Sequence, residues 1–227
     1  MAPGAPSAAE SVDRAATLRI SEIFHSLQGE STRVGLPTVF VRLTGCPLRC
    51  VWCDSAYAFS GGSSMSVAQV LREVASYRCR HVCVTGGEPL AQKPCLDLLT
   101  RLCDAAYSVS LETSGALDIA EVDARVVRIM DLKAPGSGEA NKNLWRNLDV
   151  LRRQDEIKFV LAGEEDYQWA LGCLRQHELA ARCEVLFSPV QGLLDPTDLA
   201  QWILRDQLPV RFQLQLHKIL WGAQRGR

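Results

Sequence analysis

The stretch Thr38-Val-Phe-Val-Arg-Leu-Thr-Gly-Cys46-Pro-Leu-Arg-Cys50-Val-Trp-Cys53 joins an apolar, β-branched run to three closely spaced cysteines. The run predicts a buried strand, so the cysteines follow directly at its carboxyl end. Functional sites of parallel α/β folds gather at that end of the strands. Thiolates suit iron–sulfur clusters and zinc, and three of them leave one coordination position open. The stretch therefore predicts a metal centre that can bind a reactant.

Outward from this stretch, short β-branched runs alternate with longer segments of helical period, which predicts βα units around a largely parallel sheet. The predicted strands are 20–24, 38–44, 82–85, 108–112, 126–131, 156–161, 184–187 and 211–216. The predicted helices are one that begins after Ser66 and others near 94–107, 142–154, 165–178 and 197–206. This order leaves an open doubly wound sheet and a full or partial barrel as the choices.

Length and composition favour one domain. The chain has 227 residues, of which 47% are hydrophobic, and this suffices for a full core. We predict a disordered tail over residues 1–17, rich in Ala, Pro and Ser, and a single domain over residues 18–227. The tail lacks the apolar stretch of a signal peptide, and no segment reaches roughly 18 consecutive apolar residues, so we expect no membrane span.

Charge and cysteine usage narrow the partners and the compartment. The net charge is −1, with 25 basic and 26 acidic residues, and no charged block suggests a nucleic acid or an anionic membrane. A small-molecule substrate fits better. Nine cysteines at irregular spacing favour reduced thiols in the cytoplasm over a disulfide framework. The six cysteines outside the motif are expected to be small buried hydrophobes.

A second motif, Thr85-Gly86-Gly87-Glu88-Pro89, follows another predicted strand. Paired glycines let backbone approach a ligand closely, and the adjacent carboxylate can accept hydrogen bonds from an ammonium group. Together with C-x-x-x-C-x-x-C and the aromatic residue before its last cysteine, this motif resembles the radical S-adenosylmethionine (SAM) superfamily. The resemblance implies an incomplete, modified (βα) barrel, a 4Fe–4S cluster on Cys46, Cys50 and Cys53, and SAM as cofactor.

Further segments resemble the 7-carboxy-7-deazaguanine synthase family over residues 18–227. They are Ser26-Leu27-Gln28-Gly29-Glu30-Ser31, Cys53-Asp54-Ser55, Leu111-Glu112-Thr113-Ser114-Gly115 and Leu216-His217-Lys218. The resemblance implies a carbon–nitrogen lyase that converts 6-carboxy-5,6,7,8-tetrahydropterin into 7-carboxy-7-deazaguanine with loss of ammonia. This step belongs to the biosynthesis of queuosine-type deazapurines, which modify tRNA. The resemblance also implies a homodimer and a flavodoxin- or ferredoxin-type electron donor.

The resemblance assigns site residues to two ligands. Those implied for SAM are Trp52, Asp54, Gly86, Gly87, Glu88, Ser114, Asp131, Lys133, Ser188 and Gln191. Those implied for the substrate are Leu27, Gln28, Gly29, Glu30, Arg42, Thr85, Gln215 and His217, the last two at the end of the final predicted strand. Many relatives carry Ser-Pro-Lys where this chain has Asp131-Leu132-Lys133.

Arg42 and Ser55 each have a competing interpretation. Arg42 shares strand parity with Phe40, and its guanidinium suits the substrate carboxylate, but a structural pair with Glu22 or Glu30 is the alternative. Ser55 occupies a position where relatives commonly have a threonine that helps bind Mg²⁺. A serine that caps a local turn is the alternative there.

Two other functions remain open at this point. One is another small radical SAM enzyme, such as an activase that makes a glycyl radical on a partner protein. The other, from a different class, is a non-catalytic module that binds zinc or a cluster; the Cys50–Cys53 pair alone also matches a redox dithiol. No short C-x-x-C or H-x-x-x-H partner follows downstream to complete a zinc site.

Overall fold

One nine-stranded sheet organises residues 17–222 and 224–226, which the computed structural model describes. Its strands are β1 (Thr17–Leu27), β2 (Pro37–Leu43), β3 (Ser63–Ser66), β4 (His81–Gly86), β5 (Ser108–Thr113), β6 (Val127–Asp131), β7 (Glu156–Leu161), β8 (Glu184–Pro189) and β9 (Arg211–Phe212). The α-helices are α1 (Val67–Ser76), α2 (Cys95–Asp104), α3 (Glu164–Gln176), α4 (Leu179–Arg182), α5 (Pro196–Arg205) and α6 (Leu216–Trp221). Short 3₁₀ helices span Ala56–Phe59, Pro89–Ala91, Pro135–Ser137, Ala140–Lys142 and Trp145–Val150.

The strand order is β3-β1-β2-β4-β5-β6-β7-β8-β9. All neighbours from β2 to β9 are parallel, whereas β1 runs antiparallel to both β2 and β3. The predicted α/β class with a largely parallel sheet is confirmed. Parallel strands bring their carboxyl ends to one edge, so the segments that follow them meet there.

The pleat of β2 shows how the sheet separates core from site. Val39, Val41 and Leu43 are fully buried in the apolar core that the helices cover. Phe40 and Arg42 alternate with them and line a cavity on the opposite, inner face. Alternation along a strand places successive side chains on opposite faces, so one short strand contributes to both.

The loop after β1 shows that the sheet curves into an incomplete barrel. Ser31 and Gln213, which follows β9, exchange two hydrogen bonds of 2.7 Å, and the Thr32 backbone N–H donates to Glu156 of β7 at 3.0 Å. Four strands separate β1 from β7 in the sheet, a distance of about 24 Å if the sheet were flat. The loop reaches both partners because the sheet wraps around it, as the resemblance predicted.

The helix predicted at 142–154 is wrong, since this segment forms only 3₁₀ turns. Asn147 accepts a hydrogen bond from the Ile119 backbone and donates to the Gly115 and Leu117 carbonyls. Asn143 bonds the backbone of Lys133 in both directions. Asparagine side chains that bond backbone in this way offer an alternative to the helical ladder.

The ends of the chain also differ from the predictions. The predicted strand 211–216 stops at Phe212, and Leu216 begins α6. The edge strand β3, with the sequence Ser-Ser-Met-Ser, was not predicted. The predicted disordered tail lies outside the described residues except for Thr17, which begins β1. Among the described residues, no helix is both long and apolar enough to cross a membrane.

Candidate active site

A cavity of about 610 Å³ opens at the carboxyl ends of the parallel strands. The three motif cysteines, Cys46, Cys50 and Cys53, line it together with the glycine pair Gly86 and Gly87. The ends of the neighbouring strands β5 and β6 contribute further lining residues. The two sequence motifs therefore meet in one space, as their positions after strands predicted.

Two backbone N–H groups of the cysteine loop bond to the segment 137–139. The Val51 N–H donates to the Ser137 carbonyl at 3.0 Å, and the Arg49 N–H donates to the Glu139 carboxylate at 2.6 Å. All three cysteines are free thiols of intermediate exposure. Burial raises the pKa of Cys46 and of Cys50, while the Lys133 ammonium acts in the opposite direction on both.

The donor set fits an iron–sulfur cubane. Three thiols on one loop could each bind a different iron, which would leave the fourth iron of the cluster without a cysteine ligand. In residues 17–222 and 224–226, no three His, Cys, Asp or Glu side chains converge on a single metal position. The loop that contains Gly86 and Gly87 forms a glycine cradle beside the thiols, because its backbone lies directly against the cysteine loop.

That contact explains the two glycines. Gly87 N–H donates to the Leu43 carbonyl at 3.1 Å, and Glu88 N–H donates to the Gly45 carbonyl at 2.7 Å. A Cβ on Gly87 would overlap the Gly45 carbonyl, and one on Gly86, whose φ is +153°, would overlap the Leu43 carbonyl. Only glycine permits this approach of two backbones.

The Glu88 side chain bonds to the protein itself, and its contact with SAM stays a prediction. It is fully buried and does not belong to the cavity lining. Its carboxylate accepts hydrogen bonds from Leu90 N–H at 3.0 Å, Thr113 Oγ1 at 3.0 Å, Ser114 N–H at 2.7 Å and Ser114 Oγ at 2.5 Å. The carboxylate thus joins the ends of β4 and β5, and the glycine backbone of this loop faces the cavity instead.

A chain of alternating charges crosses the inner wall. Lys133 Nζ lies 3.0 Å from Asp131 Oδ2, Lys158 Nζ lies 3.5 Å from the same oxygen, and Lys158 also donates to Glu30 Oε2. Burial would lower the pKa of Lys158, but Glu30, Asp131 and Glu112 outweigh burial and raise it well above its usual value. Opposite charges near a buried ammonium favour its charged form.

A second polar group lies beside this chain. Glu112 Oε2 accepts from Thr85 Oγ1 at 2.9 Å, and Glu112 Oε1 accepts from Gln28 Nε2 at 3.3 Å. All three residues line the cavity. The inner wall therefore presents several carboxylates and amides to a ligand.

Comparison with known proteins identifies the family. Residues 40–132, which contain both motifs, match the radical SAM superfamily. The 7-carboxy-7-deazaguanine synthase of Chlorobaculum tepidum is 46% identical over 210 residues, which cover 91% of this chain and 96% of that protein. The chain belongs to the 7-carboxy-7-deazaguanine synthase family. The synthase of Koribacter versatilis is 44% identical over 222 residues, with 91% of this chain and 98% of the relative covered.

Solved structures agree on the fold. The crystal structure of QueE from Escherichia coli has a TM-score of 0.75, with 94% of this chain and 100% of QueE covered at 22% identity. Streptococcus suis SuiB bound to S-adenosylmethionine has a TM-score of 0.54 at 12% identity, with 78% of this chain and 47% of SuiB covered. Membership of a radical SAM synthase family brings a 4Fe–4S cluster and SAM as cofactors, and favours neither the activase nor the zinc module.

Most residues assigned to SAM by resemblance line the cavity of this synthase. Those in the lining are Trp52, Asp54, Gly86, Gly87, Ser114, Asp131, Lys133 and Gln191. Glu88 and Ser188 are buried outside the lining. The Oδ1 atom of Asp131 is buried without a hydrogen-bond partner among the described residues, so this wall retains a free acceptor that a bound ligand can satisfy.

The residues assigned to the substrate all line the same cavity: Leu27, Gln28, Gly29, Glu30, Arg42, Thr85, Gln215 and His217. Gln215 and His217 do so from the start of α6 and not from a strand end. The His217 ring packs on Gly29, where a Cβ would overlap it. Lys158 and Glu112 also line the cavity, although no motif had marked Lys158, and the family segment that contains Glu112 assigned it no role.

Arg42 forms the structural pair with Glu22 that was one of its two interpretations, and its contact with the substrate carboxylate stays a prediction. Its Nε donates to Glu22 Oε1 at 2.7 Å, and Tyr57 Oη donates to the same oxygen at 2.6 Å. The guanidinium also lies over the rings of Phe24 and Tyr57, at 5.7 and 5.8 Å. Its two terminal nitrogens have no partner among the described residues, so a fork remains at the cavity wall.

Ser55 lies beside the cysteine loop with its hydroxyl 3.9 Å from Cys53 Sγ. Its side chain makes no capping hydrogen bond to the 3₁₀ helix Ala56–Phe59; only its carbonyl accepts from Ala58. Asp54 is held from α6 by Lys218 Nζ at 3.2 Å. The Ser55 hydroxyl is therefore available at the cavity.

Proposed function

We propose that this chain catalyses the conversion of 6-carboxy-5,6,7,8-tetrahydropterin into 7-carboxy-7-deazaguanine with loss of ammonia. The observation that carries the proposal is the meeting of three free thiols, a glycine cradle and the Arg42 fork in one cavity. Its volume of about 610 Å³ lies within the usual range for small-molecule sites. Family membership indicates which reaction to expect, and this cavity is where we propose that the reaction takes place.

Cys46, Cys50 and Cys53 would hold the cluster, and Gly86 and Gly87 would receive the methionyl end of SAM through their backbone. Such a cluster supplies the electron that opens SAM for radical chemistry. The protein itself binds and orients the pterin and separates it from water. Leu27 and Phe40 give the lining an apolar part for this purpose.

Arg42 would bind the substrate carboxylate through its two terminal nitrogens. Glu22 and Tyr57 fix the other side of the guanidinium, so little side-chain freedom is lost when the substrate binds. Gln28, Glu30 and Thr85 would contact the amino-lactam edge of the ring. Thr85 is the register partner of Arg42 on the neighbouring strand β4, so these two side chains would contact adjacent parts of the pterin.

Ser55 would contribute a hydroxyl ligand to Mg²⁺, with the substrate and water as the other ligands. Activity should then fall on chelation and return with added Mg²⁺. Ser55→Ala should raise the Mg²⁺ concentration needed for half-maximal activity, Ser55→Thr should retain activity, and Ser60→Ala, an exposed serine five residues away, is the control. Activity that is indifferent to chelator and Mg²⁺ would refute this assignment.

The proposal also includes a homodimer, a cytoplasmic location and a flavodoxin- or ferredoxin-type electron donor. Val51, between two cluster cysteines, is 76% exposed, so this part of the cysteine loop is open to a donor. The exposed Ile219 and Leu220 of α6 offer apolar surface to a second subunit. Equilibrium sedimentation of the reconstituted protein tests the dimer.

The deciding experiment combines anaerobic reconstitution, a reductant, SAM and 6-carboxytetrahydropterin, with mass spectrometry of the products. We expect 7-carboxy-7-deazaguanine from the wild type and from Cys103→Ala, and none from Cys50→Ala. Cys103 is a half-buried cysteine outside the motif, which makes it a matched control. SAM cleavage without a deazaguanine product would refute the substrate and leave the superfamily intact.

A further inference from the structure

Lys158 occupies an unusual position in the inner wall. It is the third residue of β7 and only 8% exposed. Its ammonium donates to Glu30 Oε2 and lies 3.5 Å from Asp131 Oδ2. A lysine buried this deeply requires partners, and here both partners line the cavity.

Glu30 is the partner whose geometry this contact fixes. It is 8% exposed, and its two oxygens are held separately, Oε2 by Lys158 and Oε1 by Gln215 Nε2 at 2.7 Å. An ionised carboxylate has about four acceptor positions, so two are left for a ligand. Because both oxygens are restrained from different elements, the plane of the carboxylate is set before a ligand arrives.

The charged groups around the pair come from every neighbouring element. Around Lys158 lie Glu30 in the loop after β1, Asp131 at the end of β6, Lys133 just after β6 and Glu112 in β5, and His217 of α6 also acts on Glu30. Burial alone would raise the pKa of Glu30, but the charge and hydrogen bond of Lys158, with help from Gln215, hold it well below its usual value. Removing Lys158 leaves burial as the largest influence, so the neutral acid should form at higher pH.

We propose that Lys158 is a specificity-determining positioning residue, which holds Glu30 as an oriented carboxylate that accepts the N–H donors of a 2-amino-4-oxopyrimidine ring edge. This proposal rests on the function proposed above. An ionised carboxylate only accepts hydrogen bonds, whereas its protonated form also donates one. A ring that replaces the 2-amino group by a carbonyl oxygen places an acceptor where Glu30 needs a donor, and is therefore disfavoured.

The experiment compares two probes, 6-carboxypterin and 6-carboxylumazine, which carries an oxygen in place of the amino group. Their equilibrium binding is measured by calorimetry on the reconstituted enzyme with SAM and without reductant. Wild type and Lys158→Arg should prefer the pterin by about 10- to 100-fold, the range of a hydrogen bond to a charged group. This preference should not change between pH 5.5 and 8, as Glu30 stays ionised throughout.

Lys158→Met should lose most of the preference at low pH and regain it as the pH rises and Glu30 ionises. Glu30→Gln, which keeps an acceptor for Lys158, should lose the preference at every pH; it also tests the proposal if Lys158→Met does not fold. A Lys158→Met enzyme that binds both probes more weakly but keeps the wild-type preference and flat pH profile would overturn the proposal, since Lys158 would then only hold the barrel together. An unchanged preference in Glu30→Gln would overturn it as well.

A different result would refute the proposed function. A wild-type enzyme that binds neither probe and yields no deazaguanine would refute the substrate itself. Product formation by the wild type, with a probe preference independent of Lys158, would refute only the role of Lys158. The two failures are therefore distinguishable in the same set of measurements.

Discussion

Replacing Glu88 tests whether its carboxylate anchors the fold or contacts a cofactor. Glu88→Ala removes the acceptor of two backbone N–H groups, those of Leu90 and Ser114, and of two hydroxyls. The hydroxyls can rotate toward other acceptors, but the N–H groups cannot. The Ser114 N–H is buried and the Leu90 N–H is partly buried.

The loss in unfolding free energy can be estimated from these two N–H donors. An unsatisfied buried donor costs about 1–3 kcal/mol, so the fully buried Ser114 N–H and the partly buried Leu90 N–H together give about 2–4 kcal/mol. This is a large fraction of a typical unfolding free energy of about 5–15 kcal/mol. Glu88→Gln retains one acceptor oxygen and should cost about half as much.

Urea denaturation followed by circular dichroism measures the free energy of unfolding of each variant. The control is Glu121→Ala, an exposed glutamate, which should stay within about 0.5 kcal/mol of wild type. If Glu88→Ala has wild-type stability but has lost SAM affinity, the anchoring role is refuted and the carboxylate contacts the cofactor. A lower free energy of unfolding for Glu88→Ala, with an intermediate value for Glu88→Gln, supports the anchoring role of the carboxylate.

Three further changes probe other parts of the structure. Arg42→Lys should raise the substrate Kd about 10-fold or more, because a point charge replaces a planar fork, with unchanged iron and sulfide content; equal affinity would contradict this. Gly87→Ala should lower the iron content after reconstitution, because its Cβ overlaps the Gly45 carbonyl, and full iron loading would refute the packing argument. Asp155→Ala leaves the buried Arg128 guanidinium, 1% exposed, without its 2.5 Å partner, and should cost about 3–5 kcal/mol in urea denaturation.

The sequence predicted where the two motifs lie in the fold, because that depends on local spacing. The cysteine motif and the glycine pair were placed correctly because each follows a strand, and parallel strands end together. The helix predicted at 142–154 was wrong because the Asn147 amide bonds backbone groups about thirty residues away. Periodicity reports which face a side chain occupies, not which distant group it meets.

The same limit explains why the sequence predicted neither the burial of Glu88 nor the partner of Lys158. The Glu88 carboxylate meets donors 25 and 26 residues later in the chain, so its burial could not be inferred from the motif alone. Lys158 has its partner Glu30 128 residues earlier. Within β7 it lies between the apolar residues Ile157 and Phe159, a pattern that signals a buried charge but does not identify its counterion.

The loop after β1 couples closure of the barrel to formation of the site. Ser31 ties this loop to Gln213 after β9, while the adjacent Glu30 binds Lys158 on β7. Neither set of contacts can form while the sheet is open, because four strands separate β1 from β7. The Glu30 carboxylate, which we propose binds the substrate ring, is therefore positioned only when the barrel curves, and a ligand that binds Glu30 must stabilise the curved form. Loss of the Lys158 contact should then weaken both ligand binding and the closure of this side of the barrel.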